Sequence, residues 1–391
     1  MSEPRIGTLA VHAGEGETLA VPSTTTPVYL ATTYRFPSAA DAAAYLDHPE
    51  GRWLYARLEN PTVAAAEAKI AALEGAEASA CFSSGMAALT ATLLASLRAG
   101  DALLVCDTIY GQTTRLARDV LERFGVEIRV VPFDGLAAAV AAAPPSARAL
   151  VFESPTNPML RVADVPAVAA ACRSRGIRSV LDATFASPVN LRALPLGVDL
   201  VVHSATKFLN GHSDHLGGAV AGSRLLVAEV VAMRRSTGGN LDAGAAYDLL
   251  RGMKTLEVRV LRQNDTALRV ARALEGHPRV ESVAYPFLPS HPDHGLARRL
   301  LRGGGGVLSF TVRGGYEAVA RVHDALRLVA RASSLGGVES LASIPVISSH
   351  RNATDAELRT QGIGRGTLRV SVGLEDPDDL VADLLQALER A

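Results

Sequence analysis

The sequence predicts an α/β protein: a mostly parallel, doubly wound sheet followed by a smaller α+β unit. Three observations carry this. Between about residues 79 and 222, short runs rich in Val, Leu and Ala alternate with segments of helical periodicity. The apolar runs are continuous, as in strands covered on both faces. Beyond residue 275 strands and helices continue, but as a shorter set that fits a separate α+β domain.

Taken in order, strands are expected at 78–82, 102–106, 127–131, 149–152, 179–181, 200–202 and 219–221. Helices are expected between them at 86–97, 114–124 and 165–175. From 245 to 275 leucines and arginines recur at helical spacing without a proline, which reads as one long helix linking two domains. Strands then follow at 279–285, 306–312, 328–333 and 367–372, with helices at 294–302, 316–326 and 377–389. The glycine run 303–306 reads as a mobile turn. Residues 1–55, rich in Thr, Pro and Gly, read as an extended arm; 56–244 form the large domain and 245–391 the linking helix and C-terminal domain.

Composition narrows the function. The 391 residues are 48% hydrophobic and 20% charged, with 39 Lys+Arg against 40 Asp+Glu and a net charge of -1. Proteins that bind nucleic acid or anionic membranes rely on a basic excess, so neither partner is expected. No apolar stretch approaches the roughly 20 residues that span a bilayer, and the first 17 residues lack the apolar core of a secretory signal. Cys81, Cys106 and Cys172 are odd in number and form no CxxC pair, which points to a reducing cytoplasm. Cys81 and Cys106, in apolar strands, read as inert filler. His212 with His215, and His291 with His294, lack a third ligand, so no metal is expected.

The basic residues are 36 arginines and three lysines, so any lysine chemistry has three candidates. Lys69 lies among acids on an amphipathic helix and reads as solvated. Lys254 reads as structural. Lys207 follows an apolar strand and is flanked by the hydroxyls of Ser204 and Thr206. Loops after the carboxyl ends of parallel strands are where α/β proteins place ligands. A desolvated lysine there is a nucleophile toward an aldehyde, and the hydroxyls suit a phosphate. A surface loop lysine is the competing reading on spacing alone.

Three further features join it. Asp182 ends a strand 25 residues before Lys207, where a carboxylate can hold a pyridinium nitrogen protonated. Cys81-Phe-Ser-Ser-Gly-Met86 is a strand, a small-residue turn and a helix start, hence an anion site on free N–H groups. Tyr110, after the strand 102–106, can stack on an aromatic ring. Each is weak alone. Together they describe a pyridoxal phosphate site.

On these residues the chain resembles the Cys/Met-metabolism group of pyridoxal phosphate enzymes, the cystathionine γ-synthase and γ-lyase relatives of transsulfuration. The resemblance runs from about Thr8 to the C-terminus through Tyr55-Ala-Arg57, Phe82-Ser-Ser-Gly-Met86, Glu153-Ser-Pro-Thr-Asn-Pro158 and Asp182-Ala-Thr-Phe-Ala186. It continues through His203-Ser-Ala-Thr-Lys207, Asn210-Gly-His-Ser-Asp214, Arg251-Gly-Met-Lys-Thr255, Leu288-Pro-Ser-His-Pro292, Ser334-Leu-Gly-Gly and Arg369-Val-Ser-Val-Gly.

The resemblance implies the aspartate aminotransferase-like fold of type I and pyridoxal 5'-phosphate as cofactor. It implies that Lys207 carries the cofactor as a Schiff base and that Asp182 pairs with its ring nitrogen. Ser84, Gly85, Met86, Ser204 and Thr206 would hold the phosphate, Asn157 the phenolic oxygen, and Tyr110 would stack on the ring and carry protons with a lowered pKa. Tyr55 and Arg57 would reach the cofactor of a neighbouring subunit, with the 1–55 arm against that neighbour, in a homotetramer of two dimers. Arg369, Ser334 and Leu335 would bind an amino-acid substrate. Two departures bear on which one: Gln112 stands where the family often has glycine, and Ser333 where many members have glutamate. His203, Ala183 and Ser333 lean toward γ-replacement on an activated homoserine. γ-Elimination by a cystathionine or methionine γ-lyase stays open, as does a non-catalytic cofactor-binding relative.

Overall fold

The computed structural model describes residues 4–15, 23–47 and 53–391. Parts of the N-terminal arm (1–3, 16–22 and 48–52) therefore lie outside the described residues. Among those described, seven strands form the main sheet: β1 (Ala78–Phe82), β2 (Ala102–Cys106), β3 (Glu127–Val131), β4 (Ala147–Glu153), β5 (Arg178–Asp182), β6 (Leu200–Ser204) and β7 (Gly218–Gly222). Their order is β1-β7-β6-β5-β4-β2-β3, parallel except for β7, which runs against both neighbours. Alternate residues of one strand enter different cores. Leu103 and Val105 pack with the helix Gly85–Ser96, while Leu104 and Cys106 pack with Val165–Arg175. That two-sided burial is why the runs carry no polar alternation. The edge strand β3 instead exposes Glu127 and Arg129, charges that discourage further pairing.

A second sheet follows the order β10-β11-β12-β9-β8, formed by β8 (Val280–Ala284), β9 (Val307–Val312), β10 (Ala330–Arg331), β11 (Leu341–Ser343) and β12 (Thr367–Ser371). It is antiparallel except between β10 and β11. The strand expected over 328–333 shrinks to two residues, and β11 and the helix Asp355–Thr360 were not expected. Both are too short to show a period.

Three readings of the sequence are corrected. The helix over 245–275 is two helices, Ala243–Met253 and Leu256–Leu274. A Cβ on Gly252 would lie 2.2 Å from the Asn210 carbonyl oxygen, so the first helix ends against that loop. Buried Arg259 then donates to the carbonyls of Gly252 (2.7 Å) and Phe208 (2.9 Å), fixing the break. The glycines 303–306 are buried rather than mobile. Cβ atoms on Gly303 and Gly304 would fall within 2.5 Å of Asn264 and Tyr285, so small residues are needed for close packing.

Lys69 is the third. It is fully buried, because the helix Ile6–His12 covers the side of Pro61–Glu74 that the sequence makes look solvated. Its ammonium donates to the carbonyls of Ala10 (2.8 Å) and Val11 (3.1 Å) and to Glu15 (2.8 Å), whose other oxygen holds Lys254 at 2.9 Å. A buried cation needs such a complete set of partners. Burial pulls its pKa down, against Glu15. Cys81, Cys106 and Cys172 are buried free thiols, all pushed up by burial. No helix of the described residues is long and apolar enough to cross a membrane.

Candidate active site

Neighbouring parallel strands end together, and the site is built on those ends. In sheet order β6, β5, β4 and β2 present Ser204, Asp182, Glu153 and, four residues past Cys106, Tyr110. A cavity of about 580 Å³ opens above them. It is lined by Ser84, Gly85, Met86, Tyr110, Gln112, Asn157, Asp182, Ser204, Thr206, Lys207, Ser333, Ser334, Leu335 and Arg369. The structure thus brings together every expected site residue except Tyr55 and Arg57. Those two lie apart from this cavity, and Arg57 donates to the carbonyl of Arg235 at 2.8 Å.

Ser84 caps the helix Gly85–Ser96, accepting from the amide of Ala87 at 3.1 Å. The first-turn N–H groups of such a helix have no intrahelical acceptor. A Cβ on Gly85 would lie 2.9 Å from Ser204, so only glycine lets this helix start meet the end of β6. A Cβ on Gly218 would lie 2.0 Å from the Ser84 carbonyl oxygen, which confines the turn from the other side. Thr206 exchanges hydrogen bonds with the backbone of Gly217 at 3.0–3.2 Å, leaving the turn before Lys207 rigid.

Asp182 accepts from the amide (3.0 Å) and hydroxyl (2.5 Å) of Thr184, both on Oδ1. Its other oxygen is left for the cavity. Burial pushes its pKa up, while Thr184 and the nearby His203 pull it back. Lys207 Nζ donates to Ser334 Oγ at 2.6 Å. Burial, then Arg369, lowers Lys207 to about 8, so a large share of the amine is neutral near that pH. Arg369 is buried on β12 and donates to Asn157 Oδ1 and the Ser334 carbonyl, both at 2.9 Å. Ser334 holds this position with φ at 118°, a strained value for a residue with a side chain.

The lowered phenol expected of Tyr110 relies on a cationic cofactor beside the ring. Of the protein's own groups, burial and then Glu153 push the phenol up, and Arg369 pulls it back. Sequence reasoning also gave Glu153 no role beyond its motif. It is 4% exposed, accepts from the amides of Tyr110 (2.9 Å) and Asn157 (3.3 Å), and is pushed well up by burial and then by Asp182. Its place at the end of an apolar run was the signal available. Thr184, Ser348, Ser349 and Arg351 also line the cavity and were not anticipated.

The donor set fits pyridoxal 5'-phosphate. A glycine-tight helix start with free amides suits the phosphate, the open oxygen of Asp182 suits a protonated ring nitrogen, and Lys207 is a partly neutral amine across the same cavity.

Known proteins agree. The profile of the Cys/Met metabolism PLP-dependent enzyme family matches residues 7–389. The chain is 42% identical to cystathionine gamma-synthase 1 of Arabidopsis thaliana over 98% of its length and 69% of that protein. It is 41% identical to L-methionine gamma-lyase of Pseudomonas putida, covering 99% and 98% of the two chains. The crystal structure of metB from Corynebacterium glutamicum superposes with a TM-score of 0.93 at 36% identity, covering 99% and 98%. That likeness carries the type I fold with it. The protein is a pyridoxal phosphate-dependent enzyme and belongs to the Cys/Met metabolism family.

Proposed function

We propose that this enzyme carries out γ-replacement: it exchanges the γ-substituent of an activated homoserine for a thiol such as cysteine, as a cystathionine γ-synthase does. The observation that carries the reading is the cavity's charge layout. An arginine clamp for an amino acid and a lysine line one cavity, and Ser333 adds no carboxylate of its own for a second ammonium group; the acids of the adjoining opening, Asp214 and Glu339, already accept from Asn210 and Ser213.

In this reading the bound cofactor withdraws electrons from the amino acid, making its α and β protons removable. Arg369 holds the α-carboxylate with its planar fork, already aimed by Asn157 and Ser334. Lys207 would take the α-proton on Nζ, and its hydrogen bond to Ser334 Oγ at 2.6 Å gives that amine a partner within the cavity. Asp182 keeps the ring nitrogen protonated. Ser84, Gly85, Met86, Ser204 and Thr206 hold the phosphate, and Asn157 the phenolic oxygen. Tyr110 would stack on the ring and supply a phenol for proton transfer beside it. Leu335 and Gln112 flank the substrate side chain.

Tyr55 and Arg57 complete the site of a neighbouring subunit, with the 1–55 arm against that neighbour, the 56–244 region holding the cofactor and 245–391 closing over it. The family resemblance extends this reading to a homotetramer of two such dimers. Three unpaired buried thiols suit a reducing cytoplasm. Elimination shares the early proton transfers, so a γ-lyase is the second reading.

Mass-spectrometric product analysis separates the two. With a homoserine ester and cysteine, the expected product is cystathionine, formed faster than cystathionine alone is split to 2-oxobutyrate. Faster splitting gives the lyase reading.

A further inference from the structure

The mouth of the cavity carries a cation that the reading above does not use. A Cβ on Gly111 would lie 3.3 Å from the Ser349 carbonyl oxygen, so the turn after Tyr110 and the 347–351 segment lie against each other. Gln112, Ser348, Ser349 and Arg351 are therefore parts of one wall of the cavity. Arg351 is exposed, and among the described residues its guanidinium makes no ion pair or hydrogen bond. The carboxylates near it in sequence are engaged elsewhere. Asp355 pairs with Arg365 at 2.6 Å, and Glu357 caps the helix Asp355–Thr360 through Thr354. The two acids of the cavity, Glu153 and Asp182, are on the floor with their own partners.

The residue before Arg351 reinforces its isolation. His350 is buried, fixed by its amide to the Pro345 carbonyl at 2.9 Å, and burial with Arg369 nearby lowers it to about 4. It is neutral at ordinary pH. Arg351 is then the charged group of this wall, beside the Gln112 amide, which can donate with it; the Ser348 hydroxyl donates to the Ile344 carbonyl (2.7 Å), Ser349 is bonded to His350 Nδ1 (2.9 Å), and Arg115 and Arg118 add positive charge in the adjoining pocket. Such a wall is an acceptor-seeking surface.

We propose that Arg351, with Gln112 beside it, is a specificity-determining residue that selects an activated homoserine whose γ-ester ends in an anion, a phosphate or a dicarboxylic half-ester, over the neutral acetyl ester. This rests on the γ-replacement reading. A charge at the free end of the γ-group meets the guanidinium, whereas an acetyl methyl gains nothing there. Cystathionine brings an ammonium together with a carboxylate, so its net attraction is smaller.

The test compares kcat/KM for O-phospho-, O-succinyl- and O-acetylhomoserine with cysteine in the wild type, Arg351→Met and Arg351→Lys. The quantity read is the ratio of an anionic to the neutral ester, which cancels any general loss in the variant. The wild type is expected to prefer at least one anionic ester, and that ratio to fall about two- to fivefold in Arg351→Met, the loss of one solvent-screened charge-assisted contact. Arg351→Lys should keep most of it. Whichever anionic ester shows the drop identifies the source of the charge. Equal ratios in wild type and Arg351→Met, or acetyl as the best ester, overturn the inference and leave γ-replacement standing. No turnover of any ester overturns both.

Discussion

The floor of the cavity and its mouth are built on different principles. On the floor, Asp182, Glu153 and Ser204 sit at the ends of adjacent parallel strands, and each is held by backbone or hydroxyl partners within 3.3 Å. At the mouth, Gln112 is exposed on the five-residue helix Gly111–Arg115, and Ser333 and Arg351 on irregular segments. A sheet edge fixes groups to a fraction of an ångström, which proton transfer needs. An irregular rim tolerates exchange, which changes of substrate need. The difference teaches that cofactor chemistry and substrate choice are separable in this molecule.

The sharpest way to break that division is to attack the floor. Lys207→Ala should lower turnover by about a thousandfold or more, the scale of losing a positioned general base. Borohydride should fix the chromophore of the wild type to one peptide, that of Lys207. Mapping it to Lys69 or Lys254 would falsify the site. The rate at which apoprotein takes up cofactor should rise with pH and level off above about 8, since Lys207 loses its proton there rather than at 10.5. The sign follows from burial favouring the neutral amine. A rate still climbing well beyond that point would show an ordinary, solvated lysine.

The next effect asks whether one chain supplies the whole floor. Arg57 donates to its own Arg235 carbonyl and lies outside its own cavity, so its proposed place in a neighbour's site rests on complementation. Arg57→Ala and Lys207→Ala proteins, each inactive, should regain activity when mixed, because one site of each mixed dimer is then intact. At statistical exchange, half the dimers are mixed and the recovery is about a quarter of wild-type activity per total site. Verified exchange without recovery makes the site a single-chain one.

The floor was also the legible half. Strand runs were readable to within a residue or two because two-sided burial leaves an unbroken apolar signature, and Lys207, Asp182 and Tyr110 were readable because ligands gather where such runs end. What escaped depends on contacts between segments far apart in the chain. Lys69 looks solvated until the helix Ile6–His12 is laid over it, and the break at Lys254 needs the Asn210 loop. The raised phenol of Tyr110 comes from burial and then from Glu153 on β4, both products of the fold. Arg351 lies in a segment with no period, so nothing in the sequence places it at the mouth.

The smallest effect sharpens the mouth. Ser333 is exposed at the rim and offers no charge of its own to the distal ammonium of cystathionine, and the nearby Asp214 and Glu339 are engaged by Asn210 and Ser213. A fully desolvated contact of that kind is worth about 1.5–3 kcal/mol. At an exposed rim solvent screens it to about 0.5–1 kcal/mol, or roughly two- to fivefold. Ser333→Glu should therefore raise kcat/KM for cystathionine cleavage by that factor. The same carboxylate should repel an anionic γ-ester and lower its use by a similar factor. The gap between replacement and cleavage then narrows from both sides while the absorbance of the bound cofactor stays unchanged. If the absorbance shifts, position 333 reaches the floor, and chemistry and substrate choice are not separable here. If cleavage is unchanged, the missing carboxylate is not what disfavours cystathionine, and Arg351 alone sets the preference.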